Sequence, residues 1–274
     1  MGEISLVEFE IANRERLNQF LKEKLNNRKD SKQINLFLEK IKNDGKISIN
    51  VDINNLYEII NDRDGRYKNI FELGYTDIEI KERYNRELPF FKKLKYFTDR
   101  FDENYLIKYA LLNIGDLGSN YPGFGSGRMC IVLNSKFVNN LKKIFCLKYY
   151  SLKYFKIDGT FKEDEFRKDI SNWDNVGILA LEKHFDDIIN CSYESWANLI
   201  SNKKGWLEVL IFNDILVKNF ESIRVKRNLY NYYNNLIMKD DQYLDEMDVI
   251  NKRQFLSIVR FCERNGILIE DYAV

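Results

Sequence analysis

The first 44 residues carry apolar side chains at spacings of three and four: Leu6, Phe9, Ile11, Leu17, Phe20 and Leu21, then Ile34, Leu36, Phe37, Leu38 and Ile41. An apolar position recurring once per turn predicts helices, and Gly45 closes them. The period then drops to two. In "KISINVDI", Ile47, Ile49, Val51 and Ile53 alternate with Ser48, Asn50 and Asp52, which predicts a strand that buries the first set and presents the second. "NNLYEIIND" follows as a short helix capped by Asn54 or Asn55, and "DRDG" closes it with a turn. "YTDIEIKERYNREL" reads as a helix or a long surface connection.

Two apolar runs, "YLIKYALLNI" and "RMCIVLN", have strand composition, and the pattern predicts paired strands flanking a glycine-rich loop. Residues 135–204 are mixed; "NSKFVNNLKKIF" and "SYESWANLISN" each begin with an N-cap residue and continue at helical spacing. "GWLEVLIFNDILV" returns to period two. It puts Trp206, Glu208, Leu210 and Phe212 on one face and Leu207, Val209 and Ile211 on the other. From Arg227 the chain reads as helical, with "RQFLSIVRFCERNG" an amphipathic helix ending at Gly266. The expectation is an α+β protein: a helical N-terminal extension over 1–44, a mixed core over 45–226, and a helical segment over 227–274 packed on that core.

Composition narrows the function classes. With 274 residues and 45% hydrophobic content, the chain has enough apolar material for one main domain with appendages. Lys and Arg number 43 against 42 Asp and Glu, so the chain as a whole has no electrostatic footprint for nucleic acid or an anionic membrane; a local basic face stays open. Cys130, Cys146, Cys191 and Cys262 form no CxxC and read as buried reduced thiols, while His184 has no second imidazole to share a zinc ion. No apolar run reaches the roughly 18 residues of a membrane span, and "MGEISLVEFEIANRERL" lacks the order of a secretory signal. The expectation is a protein that works in a cytosol, its own or that of a cell it is delivered into, without membrane or metal.

Two features carry candidate chemistry. Glu208 stands among Trp, Leu, Val, Ile and Phe, where a carboxylate is costly to bury unless paired or used; the bland alternative is an edge strand with Glu208 facing water. In "GFGSGR", glycine backbone amides followed by Arg128 suit a diphosphate, yet the spacing matches neither a P-loop nor a dinucleotide fingerprint, and a long hairpin connection is the alternative. His184 reads as packed or solvent-facing. "NLYNYYNN" reads as an amphipathic helix surface, and "KDDQYLDEMD" as a solvated face.

Taken in order, "KISINVDI", "DGRYKNIFELG", "KYALLNI", "GFGSGRMCIVL" and "GWLEVLIFNDILVKNFESIRV" resemble a bacterial domain family of unknown function whose members look like ADP-ribosyltransferases. That family has a first strand carrying H-x-H, a "DG.Y...FE.G" segment, a "KYGALN" strand, an "FGS" loop and a late Y-[VI]-E-x-Q-x-H-G strand. The resemblance covers about two-thirds of the chain, within residues 45–226. It implies a split β-sandwich core with NAD as the cofactor. Glu208 falls on the late-strand glutamate, which looks catalytic, while Phe124, Gly125 and Ser126 fall on the "FGS" loop and Tyr109 on the tyrosine of "KYGALN". Gly65, Tyr67, Phe71, Glu72 and Gly74 match the second segment. Asn50 and Asp52 stand where the family has its two histidines, and Leu210 and Phe212 where its late strand has Gln and His.

The resemblance implies transfer of ADP-ribose from NAD to a macromolecular acceptor, protein or nucleic acid, in the manner of a toxin or effector. Glu208 would stabilise the positive charge of the transition state. Asn50, Asp52, Tyr109, Phe124, Gly125, Ser126 and Arg128 would contact the NAD. The rival is a degenerate, inactive member that serves as a binding module, which the missing histidines favour.

Overall fold

The computed structural model describes residues 5–63, 65–68, 81, 85–91, 107–115, 129–141, 144–201 and 205–272. Over these residues the chain is an α+β protein built on an eight-stranded, mixed, open sheet. Helices α1 (Leu6–Leu25) and α2 (Ser31–Asp44) come first, then β1 (Gly45–Val51) and α3 (Ile53–Asn61). A short α4 (Leu88–Phe91) precedes β2 (Lys108–Ile114) and β3 (Met129–Leu133). Next are α5 (Ser135–Asn140), β4 (Ile144–Leu147), a 3-10 turn at Ser151–Tyr154, α6 (Glu163–Asp169) and β5 (Ile170–Asn172). Then follow α7 (Val176–Lys183), α8 (Phe185–Asn190), α9 (Trp196–Ser201) and β6 (Glu208–Ile211). The chain ends in β7 (Phe220–Lys226), α10 (Arg227–Ile237), α11 (Glu246–Asn265) and β8 (Leu268–Tyr272).

The strand order is β5-β4-β6-β2-β1-β3-β7-β8, antiparallel throughout except for the parallel pair β7 and β8. At the centre the pairing changes partners. β1 meets β2 over Gly45–Ser48 and Leu111–Ile114, whereas its second half, Ser48–Val51, pairs with β3. The first half of β2, Lys108–Leu111, pairs with β6 instead. Past Ser48 and Leu111 the two central strands therefore part, and the sheet opens between Tyr109 and Asn50.

One face of the sheet carries the larger core. Ile47, Ile49 and Val51 of β1, Ala110, Leu112 and Ile114 of β2, and Leu207, Val209 and Ile211 pack with Leu17 of α1 and Ile34, Phe37 and Ile41 of α2. Trp196 of α9 meets Phe37 edge to face, ring centroids 5.3 Å apart. The N-terminal helices thus share a core with the strands, because a helix can bury its apolar stripe only against another element. The opposite face is covered at its β4-β6-β2 end, where Tyr109, Phe145, Leu147 and Leu210 pack with Phe9, Phe90, Tyr154, Phe155 and Phe166. The two faces of β6 are those predicted from its alternation.

Several predicted features differ. β2 and β3 are not a hairpin, since β1 lies between them; the glycine-rich segment joins strands two places apart. β4 and β5 lie within residues read as mixed, and β8 within a tail read as helical. The N-cap of α3 is Asp52, whose carboxylate accepts the Asn55 amide at 2.8 Å, not Asn54 or Asn55. α11 ends where the sequence puts it. Gly266 adopts φ 64° there, and its amide and that of Ile267 both turn back to the Cys262 carbonyl.

A Cβ on Gly266 would meet nothing within 4 Å, so Gly266→Ala costs only the left-handed backbone term. The expected loss is about 1 kcal/mol, read as a lower urea midpoint with an unchanged slope.

Candidate functional site

Glu208 opens β6, opposite Leu147 of β4 on one side and Leu111 of β2 on the other. The strand is interior to the sheet and Glu208 is 2% exposed, so it does not face water from an edge. A carboxylate there needs donors. One is the Ser151 backbone amide, 2.5 Å from Oε2, offered by the 3-10 turn that follows β4.

Ser151 also connects Glu208 to a second buried carboxylate. Its hydroxyl donates to Oε1 of Glu87 at 2.9 Å, and the Tyr109 hydroxyl donates to Oε2 of the same group at 2.6 Å. Glu87, just before α4, is fully buried. The chain Tyr109–Glu87–Ser151–Glu208 joins β2, the α4 entry, the 3-10 turn and β6. Tyr154 flanks it: its hydroxyl donates to Asp169 at 3.1 Å, and burial, then Asp169, then more weakly Glu208 push that phenol far above its ordinary pKa.

The register relates the other expected residues to this chain. Glu208, Leu111 and Ser48 form one cross-strand row, and Asn50 lies two residues beyond Ser48 on the same face, opposite Cys130. Two strand spacings put the Glu208 and Ser48 backbones about 10 Å apart across the sheet, and Asn50 lies two residues further along β1, past the start of the opening between β1 and β2. Tyr109 stands on the β2 lip of that opening. Asp52 is spent on the α3 cap, where Asn55 holds both of its oxygens. Phe124, Gly125, Ser126 and Arg128 lie outside the described residues, as do Phe71, Glu72 and Gly74. Gly65 and Tyr67 hydrogen-bond to the strand-like stretch at Ile215–Val217.

At the end of β4 and β6 sits a lysine that the sequence did not single out. The Lys183 ammonium donates to the Lys148 and Trp206 carbonyls, both at 2.6 Å, bridging the two strands just past the Leu147–Glu208 pair. Burial, reinforced by Lys148 and Lys153, pushes its pKa down to about 7. His184 beside it is buried with Nε2 2.8 Å from the Gly205 carbonyl, a packed histidine. No group of His, Cys, Asp and Glu among the described residues is arranged to hold a metal ion, and no helix among them is long and apolar enough to cross a membrane.

Glu208 was legible as a carboxylate in an apolar strand. Glu87 and Ser151 were not, because nothing in "NREL" or "YYSL" signals partners 64 and 57 residues away. The alternation of lysine and aromatic residues in "LKYYSLKYF" was a usable signal for the basic cluster.

Tyr109→Phe removes one donor from a fully buried carboxylate and is expected to cost about 1–3 kcal/mol of stability; Ser151→Ala acts on the same carboxylate, so the double variant loses an amount different from the sum. Urea denaturation of the three proteins tests this. Lys183 makes stability pH-dependent. Its folded pKa lies below its ordinary 10.5, so above about pH 7 the unfolded chain binds more protons and stability rises with pH. The expected slope between pH 7 and 8 approaches about 1 kcal/mol per unit, and Lys183→Met removes it.

No family model and no curated protein matches the chain, so the reading of this site stands on its geometry.

Proposed function

We propose that the protein is an NAD-dependent ADP-ribosyltransferase with an ADP-ribosyltransferase-like split core, and that Glu208 is its catalytic carboxylate. The observation that carries this is the position of Glu208: buried on an interior strand, on the face where β1 and β2 part, with Asn50 across the opening. The residues fit the chemistry. Breaking the bond between ribose and nicotinamide sends the electron pair to the departing ring and leaves positive charge on the sugar. A fixed carboxylate in an apolar, low-dielectric surround stabilises that charge strongly. The acceptor then bonds to the same carbon and gives up its proton.

Oε2 of Glu208 is pinned by the Ser151 amide, which fixes the rotamer and spares reorganisation during the reaction. Asn50 both donates and accepts, and takes the role of a neutral partner for ribose or amide. Asp52, as a helix cap, has no share in the site; Tyr109 acts through Glu87, holding the second carboxylate. Phe124, Gly125, Ser126 and Arg128 remain proposed NAD contacts, with a macromolecule in a cytosol as acceptor.

A second reading has its own support. With 2% exposure and an oxygen hydrogen-bonded to Ser151, Glu208 also serves as a pure frame residue of an inactive binding module. Release of nicotinamide from labelled NAD in the presence of cell lysate separates the two. The transferase releases nicotinamide and labels an acceptor, and Glu208→Gln lowers both by at least about a hundredfold. No turnover by the wild type, or equal turnover by Glu208→Gln, overturns it.

A further inference from the structure

The turn that carries Ser151 also carries a basic cluster. Lys153 Nζ sits 3.0 Å from the centroid of the Tyr149 ring, and Lys183 Nζ sits 4.8 Å from the same centroid and 6.0 Å from that of Trp206. Lys148 projects between them and Glu182, 3.1 Å away. Glu182 is already bound by both Arg16 terminal nitrogens, and Asp169 accepts from Tyr154. Lys153 has no carboxylate within ion-pair distance among the described residues, and its nearest polar partner is a π face. Five basic groups, Arg16, Lys148, Lys153, Lys162 and Lys183, thus face three acidic ones, Glu182, Asp169 and Glu165, in a chain whose total charge is only +1.

Such an excess is unfavourable in a half-buried place unless an anion joins it. Burial lowers the pKa of both amines: at Lys183 the neighbouring Lys148 and Lys153 add to it against Asp169, and at Lys153 it prevails over the opposing Asp169 and Glu165, with smaller help from Lys162 and Lys148. Two of the three protons of the Lys183 ammonium go to carbonyls, leaving one for a ligand. The half-buried Tyr150 continues the cluster, its ring 6.1 Å from that of the buried Trp206.

We propose that Lys148, Lys153 and Lys183, arrayed around Tyr149, bind the diphosphate of a nucleotide whose ring lies against Tyr150. The ammonium groups supply charge-assisted hydrogen bonds to the phosphate oxygens. Ser151 lies between this cluster and Glu208, so a nucleotide held here has its diphosphate beside the carboxylate site. The choice of a nucleotide rests on the transferase reading; the anion site rests on the lysines alone.

Titration calorimetry with ADP and with inorganic pyrophosphate tests it. Wild type binds ADP, and binds it at least about tenfold more tightly than pyrophosphate, because the Tyr150 ring adds a contact. Lys153→Met weakens ADP binding by at least about tenfold, with an unchanged thermal midpoint as the control for folding. Lys153→Arg keeps the charge and restores binding. Absence of ADP binding by the wild type, equal affinity for pyrophosphate, or an unaffected Lys153→Met overturns the proposal. A protein that binds ADP but never turns over NAD keeps this site and loses the transferase.

Discussion

A carboxylate held out of water in the middle of a sheet must be given hydrogen-bond donors, and the half of the structure around β4, β6 and β2 is arranged around that need. Glu208 has Leu207 and Val209 beside it on the strand and Leu147 and Leu111 across from it, none of which donates from a side chain. One donor comes from backbone, the Ser151 amide, which is free of the ladder because the chain leaves β4 and turns through a 3-10 segment over the sheet face. That turn in turn places Tyr154 and Phe155 in the aromatic cluster of the second face, with Phe90, Phe161 and Phe166. The electrostatic requirement of one residue and the burial of the smaller core are thus met by the same loop. Lys183 secures its base, joining the Lys148 and Trp206 carbonyls where the β4-β6 ladder ends.

The second constraint is the parting of β1 and β2. Each strand pairs with the other over one half and with an outer neighbour over the second, β1 with β3 and β2 with β6. The sheet thereby gains an opening between its central strands. The row through Glu208, Leu111 and Ser48 marks where it begins. Ser48 is tied below it, accepting from Asn113, which in turn accepts from Ser201 of α9. The closed end of the opening is therefore stiffened by buried hydrogen bonds, and its lips carry Tyr109 and Asn50.

What the sequence disclosed follows from how each element is buried. β1 and β6 were legible because each presents one face to the large core, which enforces a period of two over several residues. β4 is four residues buried on both faces, and a short continuous apolar run behind a helix N-cap has no period to read. β5 has three residues. β8 contains Glu270 and Asp271, poor strand formers that the fold tolerates because Arg224 and Arg227 of the β7–α10 junction pair with them. The hairpin expected from β2 and β3 failed for a topological reason: two strands close in sequence accept a third between them when the intervening segment is long enough, and local pattern carries no information about that choice. Asp52 misled in a different way. It continues the alternation of β1, so it read as part of the strand face, while its side chain had already turned to start α3.

Under the proposed transferase reading, the burial of Glu208 has a use beyond architecture. Two acidic side chains in one dry network, Glu208 and Glu87, are each stripped of hydration, and an apolar pair of similar shape at such positions is usually as stable or more so. Ser151, sharing its amide with one and its hydroxyl with the other, reduces that penalty without cancelling it. A frame needs neither acid. A site that must stabilise positive charge needs at least one, and gains from a second that keeps the first fixed at the correct angle, which is the arrangement found where the central strands of this sheet part.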